Sequence, residues 1–143
     1  MPFLKLWIHF VWSTKKREKI ITKKLKPLLL DHIKTNAREK KIFIDTINCV
    51  EDHIHILVSL GTDQTVSKIV QLIKGESSHW ANKEKIINGK FEWQDEYYAA
   101  TVDDSAVEIV RSYIQNQEEH HHKRTFDEEY QTFIKGYSFP INQ

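Results

Sequence analysis

His53 and His55 stand one residue apart in "CVEDHIHILVSL" (49–60), a run that otherwise reads as a buried β-strand. Period-two alternation sends His53, His55, Leu57 and Ser59 to one side and Ile54, Ile56, Val58 and Leu60 to the other. The aliphatic side suits packing on helices. The other side sets two imidazoles roughly 6–7 Å apart at the backbone, a spacing that suits a divalent metal if a third ligand comes from elsewhere. Taken alone, the pair fits a satisfied structural pair equally well.

Candidates for the third group lie in "EIVRSYIQNQEEHHHKR" (108–124). On a helix, Tyr113 and Gln117 are one turn apart and separated by about 40° around the axis. They flank the apolar stripe of Val107, Val110 and Ile114, which must face the protein body. The Gln117 carboxamide oxygen can ligate a hard divalent ion, and the Tyr113 phenol can act as a nucleophile. Such a ligand set leaves positions open for phosphate oxygens on an octahedral metal, which can polarise phosphorus for attack. His120 and His121 compete with Gln117 as ligands or phosphate contacts. His9, on the less apolar face of the first strand, competes for a place near the pair. Asp52 either orients an imidazole from behind or serves as a turn residue. Tyr97, Tyr98 and Tyr130 are rival nucleophiles, but they sit among aromatics where packing is the default.

The elements that must position these groups are readable from periodicity. Residues 3–12 alternate as a strand, with Leu4, Leu6, Ile8, Phe10 and Trp12 on one face. A basic loop leads to a helix with Pro27 in its first turn and Leu28, Leu29, His32, Ile33, Asn36 and Ala37 at helical spacing. "KIFIDTINCV" (41–50) reads as a strand forming a hairpin with His53–Leu60 through Glu51 and Asp52. Thr65 caps a second helix, which Gly75 interrupts. "FEWQDEYYAATV" (91–102) reads as the fourth strand, and Asp103 or Asp104 caps a third helix, 104–121. The tail, 123–143, carries Phe126, Tyr130, Phe133 and Ile134 at helical spacing. This β-α-β-β-α-β order predicts an α+β, ferredoxin-like (RRM-like) antiparallel sheet with helices on one face and an additional C-terminal helix. The opposite face is then left for chemistry or a ligand.

At 143 residues, with 40% hydrophobic and 29% charged, the chain fits one domain, 1–143, that needs no covalent staple. Cys49 is its only cysteine, which excludes an intramolecular disulfide and suits a reducing cytoplasm. The stretch "FLKLWIHFVW" is too short to cross a bilayer and is broken by Lys5 and His9, so neither a membrane anchor nor a signal peptide is expected. A net charge of +1 argues little for nucleic acid, but "KKREKIITKKLK" (15–26) concentrates basic residues at one place. Lys15, Lys16, Arg17 and Lys74 are candidate phosphate contacts, with simple solvation as the alternative.

His-hydrophobic-His on a strand followed by Tyr-x-x-x-Gln on a later helix resembles the single-tyrosine HUH transposases of the IS200/IS605 type. "VWSTKKR" (11–17), "EDHIHILVSL" (51–60), "IVQLIKGESS" (69–78), "FEWQDEYYAATV" (91–102) and "YIQNQEEHH" (113–121) carry the resemblance in the family's order. It implies that His53, His55 and Gln117 hold Mg²⁺ or Mn²⁺ and that Tyr113 is catalytic. Tyr113 would attack single-stranded DNA, giving a 5′-phosphotyrosine and a 3′-hydroxyl, and the reverse reaction would rejoin strands. The resemblance also implies a homodimer that recognises hairpins at element ends, with the tyrosine helix acting in cis or in trans. No nucleotide cofactor is expected, in keeping with the lack of a GxxxxGK loop. The rival readings are a domesticated relative acting on repetitive hairpins and a non-catalytic nucleic-acid binder with an RRM-like sheet. Against the latter, no RNP-type aromatic strand is present.

Overall fold

The computed structural model describes residues 4–118 and Glu128. Strands β1 (Trp7–Ser13), β2 (Phe43–Cys49), β3 (His53–Ser59) and β4 (Tyr98–Val102) form one antiparallel sheet in the order β2-β3-β1-β4. The β2–β3 hairpin thus places its second strand beside β1, as the split β-α-β arrangement requires.

Helix α1 (Leu25–Glu39) buries Leu25, Leu29, Ile33 and Ala37, a single face at four-residue spacing. Pro27 stands where the backbone N–H would have no intrahelical partner. The helix stops where Lys41 turns left-handed (φ 60°), letting Ile42 N–H donate to Ala37 and Lys41 N–H to Arg38. Helix α2 (Val66–Glu84) starts at Thr65, whose hydroxyl accepts from Lys68 N–H. It runs through Gly75 without a break. Both helices cover one sheet face, closing a core around Phe10, Trp12, Ile54, Ile56 and Val58.

Helix α3 (Val107–Gln115) packs Val107, Val110 and Ile114 against Leu57 and Trp7 on the opposite face. Its approach is fixed by Asp104, which accepts from Trp7 Nε1 at 3.2 Å and pairs with Lys5. The face expected to lie open is therefore partly roofed, and His9, His53 and His55 are fully buried beneath it.

Three elements differ from the sequence expectation. The first strand, expected over 3–12, begins at Trp7, and Leu4 and Leu6 before it are exposed. The fourth strand begins at Tyr98; upstream, only Trp93 bridges to Thr14. There the Asn82 carboxamide takes both backbone groups of Phe91, and the Gln94 side chain accepts from Ser13 N–H at 2.6 Å. Backbone pairing there is confined to two bonds around the bridge, Lys15 N–H to Glu92 O and Gln94 N–H to Ser13 O, and side chains take positions on either side of it. The third helix, expected over 104–121, is a 3-10 turn at Asp104–Ala106 followed by α3, which ends at Gln115. Asn116 leaves helical geometry (φ −101°, ψ 23°) before Gln117 and Glu118 resume it. Its side-chain amide donates back to Ser112 O at 3.0 Å, a local bond that competes with helix continuation. Residues 119–127 and 129–143, including the expected tail, lie outside the described residues.

Candidate active site

Strand alternation in β3 delivers His53 and His55 to the α3 side of the sheet, their ring centroids 5.3 Å apart. Each is held from behind at Nδ1. Asp52 Oδ1 lies 2.8 Å from His53 Nδ1, and His9 Nε2 lies 2.9 Å from His55 Nδ1. The nitrogen that each ring can offer to a metal is therefore Nε2. Asp52 is both turn residue and orienting carboxylate, since its backbone oxygen also accepts from Thr14 N–H.

Helix α3 brings Tyr113 edge-on to His55, with centroids 5.7 Å apart and planes at 88°. The helix is fixed at this height by Asn48, which faces His55 across the β2–β3 ladder. Its Nδ2 donates to Ile114 O at 3.0 Å and to Gln115 O at 3.3 Å, the carbonyls a helix end leaves unsatisfied. Gln117 follows the Asn116 break rather than sharing an unbroken helix with Tyr113. It is fully buried, and neither Oε1 nor Nε2 of its carboxamide has a hydrogen-bond partner. A buried amide in that state costs about 1–3 kcal/mol, so an absent partner is the economical explanation. Among the described residues no cluster of three His, Cys, Asp or Glu could hold a metal. A three-ligand site on the two histidines thus needs a carboxamide such as Gln117, or His120 or His121, which lie outside the described residues.

Two residues stand closer to the site than their sequence positions suggested. His9 stacks on His55, with centroids 5.1 Å apart and 23° between planes. Tyr98 places its ring edge-on to His9 at 6.3 Å. The alternation of β1 and β4 carries both residues to the histidine face, but only the register between strands puts them beside His55.

The basic candidates separate into two places. Lys15, Lys16 and Arg17 are exposed on the turn after β1, which is tied by Thr14 to Asp52 and so lies beside the start of the histidine strand. Lys16 and Arg17 both adopt left-handed backbone (φ 56° and 55°), a costly conformation for non-glycine residues. Lys15 pairs with Glu92 at 3.5 Å. Lys74 stands apart, in a groove of about 450 Å³ between α2 and residues 90–95. Its ammonium donates to the backbone oxygens of Asp95 and Glu96 and lies 5.7 Å from the Trp12 ring. Burial lowers its pKa, against the opposing pull of Asp95.

The family model for Transposase IS200 like matches residues 3–117. The ISDra2 transposase TnpA of Deinococcus radiodurans is 25% identical over 115 residues, covering 76% of this chain and 81% of that protein. A crystal structure of a Deinococcus radiodurans protein assigned as a transposase superposes with a TM-score of 0.62 at 20% identity, over 82% of this chain and 95% of that one. A REP-associated tyrosine transposase bound to a REP hairpin superposes with a TM-score of 0.63 at 16% identity, over 85% of this chain and 74% of that one. At those identities the two structures speak to the fold. The family match spans the sheet, the paired histidines and the helix that carries Tyr113, and the chain belongs to the IS200-like transposases, the single-tyrosine HUH enzymes of the IS200/IS605 type.

Proposed function

We propose that this transposase cuts and rejoins single-stranded DNA through a 5′-phosphotyrosine on Tyr113, using Mg²⁺ or Mn²⁺ held by His53, His55 and Gln117. The observation that carries the reading is the packing of Tyr113 against a buried histidine pair whose Nδ1 atoms are both engaged from behind. The partnerless Gln117 carboxamide fits the remaining ligand position. A divalent ion bound there would supply Lewis-acid polarisation of the scissile phosphate.

The chain's own groups do the rest. The roof formed by α3 keeps the imidazoles dry and holds the phenol over them. Tyr113 Oη forms a bond to phosphorus as the bond to the 3′ oxygen breaks; the phenol loses its proton and the 3′ oxygen leaves as a hydroxyl. A second 3′-hydroxyl reverses the step, so the energy of the cut bond is kept and no nucleotide is consumed. Lys15, Lys16 and Arg17, beside the start of the histidine strand, would take phosphates of the incoming strand, and Lys74 would contribute from its groove. The protein would act as a homodimer on DNA with hairpins at the element ends. The hairpin bound to the structurally similar REP-associated transposase supports that substrate class.

The test is covalent trapping. The full chain is incubated with labelled single strands from the flanks of its own gene and Mn²⁺, then run on a denaturing gel. An adduct is expected that disappears with EDTA, with duplex DNA and in Tyr113→Phe. An adduct that persists in Tyr113→Phe refutes the assigned nucleophile, and one that persists in EDTA refutes the metal.

A further inference from the structure

His55 is backed by a second imidazole where His53 is backed by a carboxylate. His9 is fully buried on β1, two positions along the strand from Val11, the residue that pairs with His55. That diagonal relationship brings its ring over His55, with Nε2 2.9 Å from His55 Nδ1.

A hydrogen bond between two neutral imidazoles needs one N–H and one lone pair, so it couples their tautomers. If His55 carries its proton on Nδ1, His9 accepts at Nε2 and keeps its own proton on Nδ1. If His9 donates instead, the proton of His55 must sit on Nε2. Only the first arrangement leaves a lone pair on His55 Nε2.

From this geometry, and resting on the metal reading above, we infer that His9 is a positioning residue. It accepts from His55 Nδ1–H, fixing both the tautomer and the orientation in which His55 presents Nε2 to the ion. Asp52 performs the same service for His53 with a charged acceptor. A carboxylate enforces the tautomer by charge, whereas a neutral imidazole does so only through its own proton position and the stacking that holds the rings 5.1 Å apart. His9 is therefore the more geometry-dependent of the two supports. A direct ligand role is the competing assignment: it would need a lone pair either on Nε2, which here accepts from His55, or on Nδ1, which here carries the proton, so the two cannot both hold.

The experiment titrates the full chain with Mn²⁺, followed by electron paramagnetic resonance, in wild type, His9→Gln and His9→Phe, with thermal unfolding of each. Gln can offer an oxygen acceptor, while Phe keeps packing volume without one. His9→Phe should weaken Mn²⁺ binding about 10- to 100-fold, with His9→Gln recovering much of the loss. Electron spin echo spectra of the wild type should count two coordinated imidazoles. On unmutated, metal-free protein, long-range ¹H–¹⁵N spectra should place the His55 proton on Nδ1, which keeps the test alive should the Phe variant fail to fold. A third coordinated imidazole that disappears in His9→Gln, an Nε2–H His55, or unchanged Mn²⁺ affinity in His9→Phe would each overturn the role of His9 while leaving the metal reading intact. A wild-type chain that binds no Mn²⁺ would instead fell the metal reading, and this inference with it.

Discussion

Arg111 forks onto Asp45, with Nε and Nη2 each 2.9 Å from a carboxylate oxygen. Asp45 is the residue inserted where the β2–β3 register shifts between Ile44 and Thr46, so it has no partner on β3. A bulge that looks like an interruption of the sheet is thus the anchor that joins the edge strand to the tyrosine helix.

Breaking that anchor should loosen α3 and misplace Tyr113. Asp45→Asn removes the charge but not the volume, and should cost about 1–2 kcal/mol of stability together with a lower rate of adduct formation. The hydrogen bond from Arg111 holds the Asp45 carboxyl below its ordinary value, although burial opposes it. A depressed folded pKa contributes stability that is present above the unfolded value and is lost as pH falls through the folded one. The gap between wild type and Asp45→Asn in denaturant unfolding should be full near pH 7 and should close below about pH 4. A gap that is constant across that range would remove the ion pair from the account.

Gly75 points to a second measurable effect. A Cβ added there meets nothing within 4 Å, and the helix continues past it on both sides. Gly75→Ala should therefore stabilise the protein by about 0.5–1 kcal/mol, read as a higher melting temperature. The same residue lines the groove that holds Lys74. Hairpin affinity measured on Lys74→Ala shows whether DNA lies in this groove: a loss places it there, and no change removes Lys74 from the DNA contacts.

Cys49 should be chemically silent. It is fully buried, and burial pushes its thiol up to about 12, with Lys26 pulling weakly the other way. The thiolate, the reactive form, is then scarce at neutral pH. A maleimide should leave the native chain unlabelled over a time in which the denatured chain takes up one equivalent. Rapid labelling of native protein would contradict the packing of β2 against α1.

The histidine pair, the Thr65 cap and the β-α-β-β-α-β order were legible because each depends on neighbours in sequence. Alternation alone sets the faces of β3, and a hydroxyl three residues before a free N–H makes a cap. What escaped depends on register or on side chains that displace backbone bonds. His9 was legible as a candidate neighbour of the pair, but its placement over His55 rests on the β1–β3 register that sets Val11 opposite His55. The run 91–97 has the composition of a strand, yet its backbone pairing stops at two bonds around Trp93, and Asn82 takes both backbone groups of Phe91. The apolar stripe of α3 reads straight through Asn116, since periodicity does not register an amide bonding back to Ser112.

Gln117 gives the sharpest opposition between stability and function. Its carboxamide is fully buried, and both of its polar atoms lack hydrogen-bond partners. Gln117→Met keeps a similar volume and removes the unsatisfied groups, so in EDTA the variant should be more stable by about 1 kcal/mol or more. Mn²⁺ should reverse the comparison. A ligand that binds only the folded wild type adds stability in proportion to the logarithm of its concentration over its dissociation constant, about 2.7 kcal/mol at a hundredfold excess. The variant, lacking one of the three proposed ligands, should gain far less and should form no adduct. Melting curves of both proteins with EDTA and with Mn²⁺ settle the matter. A variant that is less stable in EDTA would mean that the fold itself satisfies the amide, and the third ligand would have to be sought at His120 or His121.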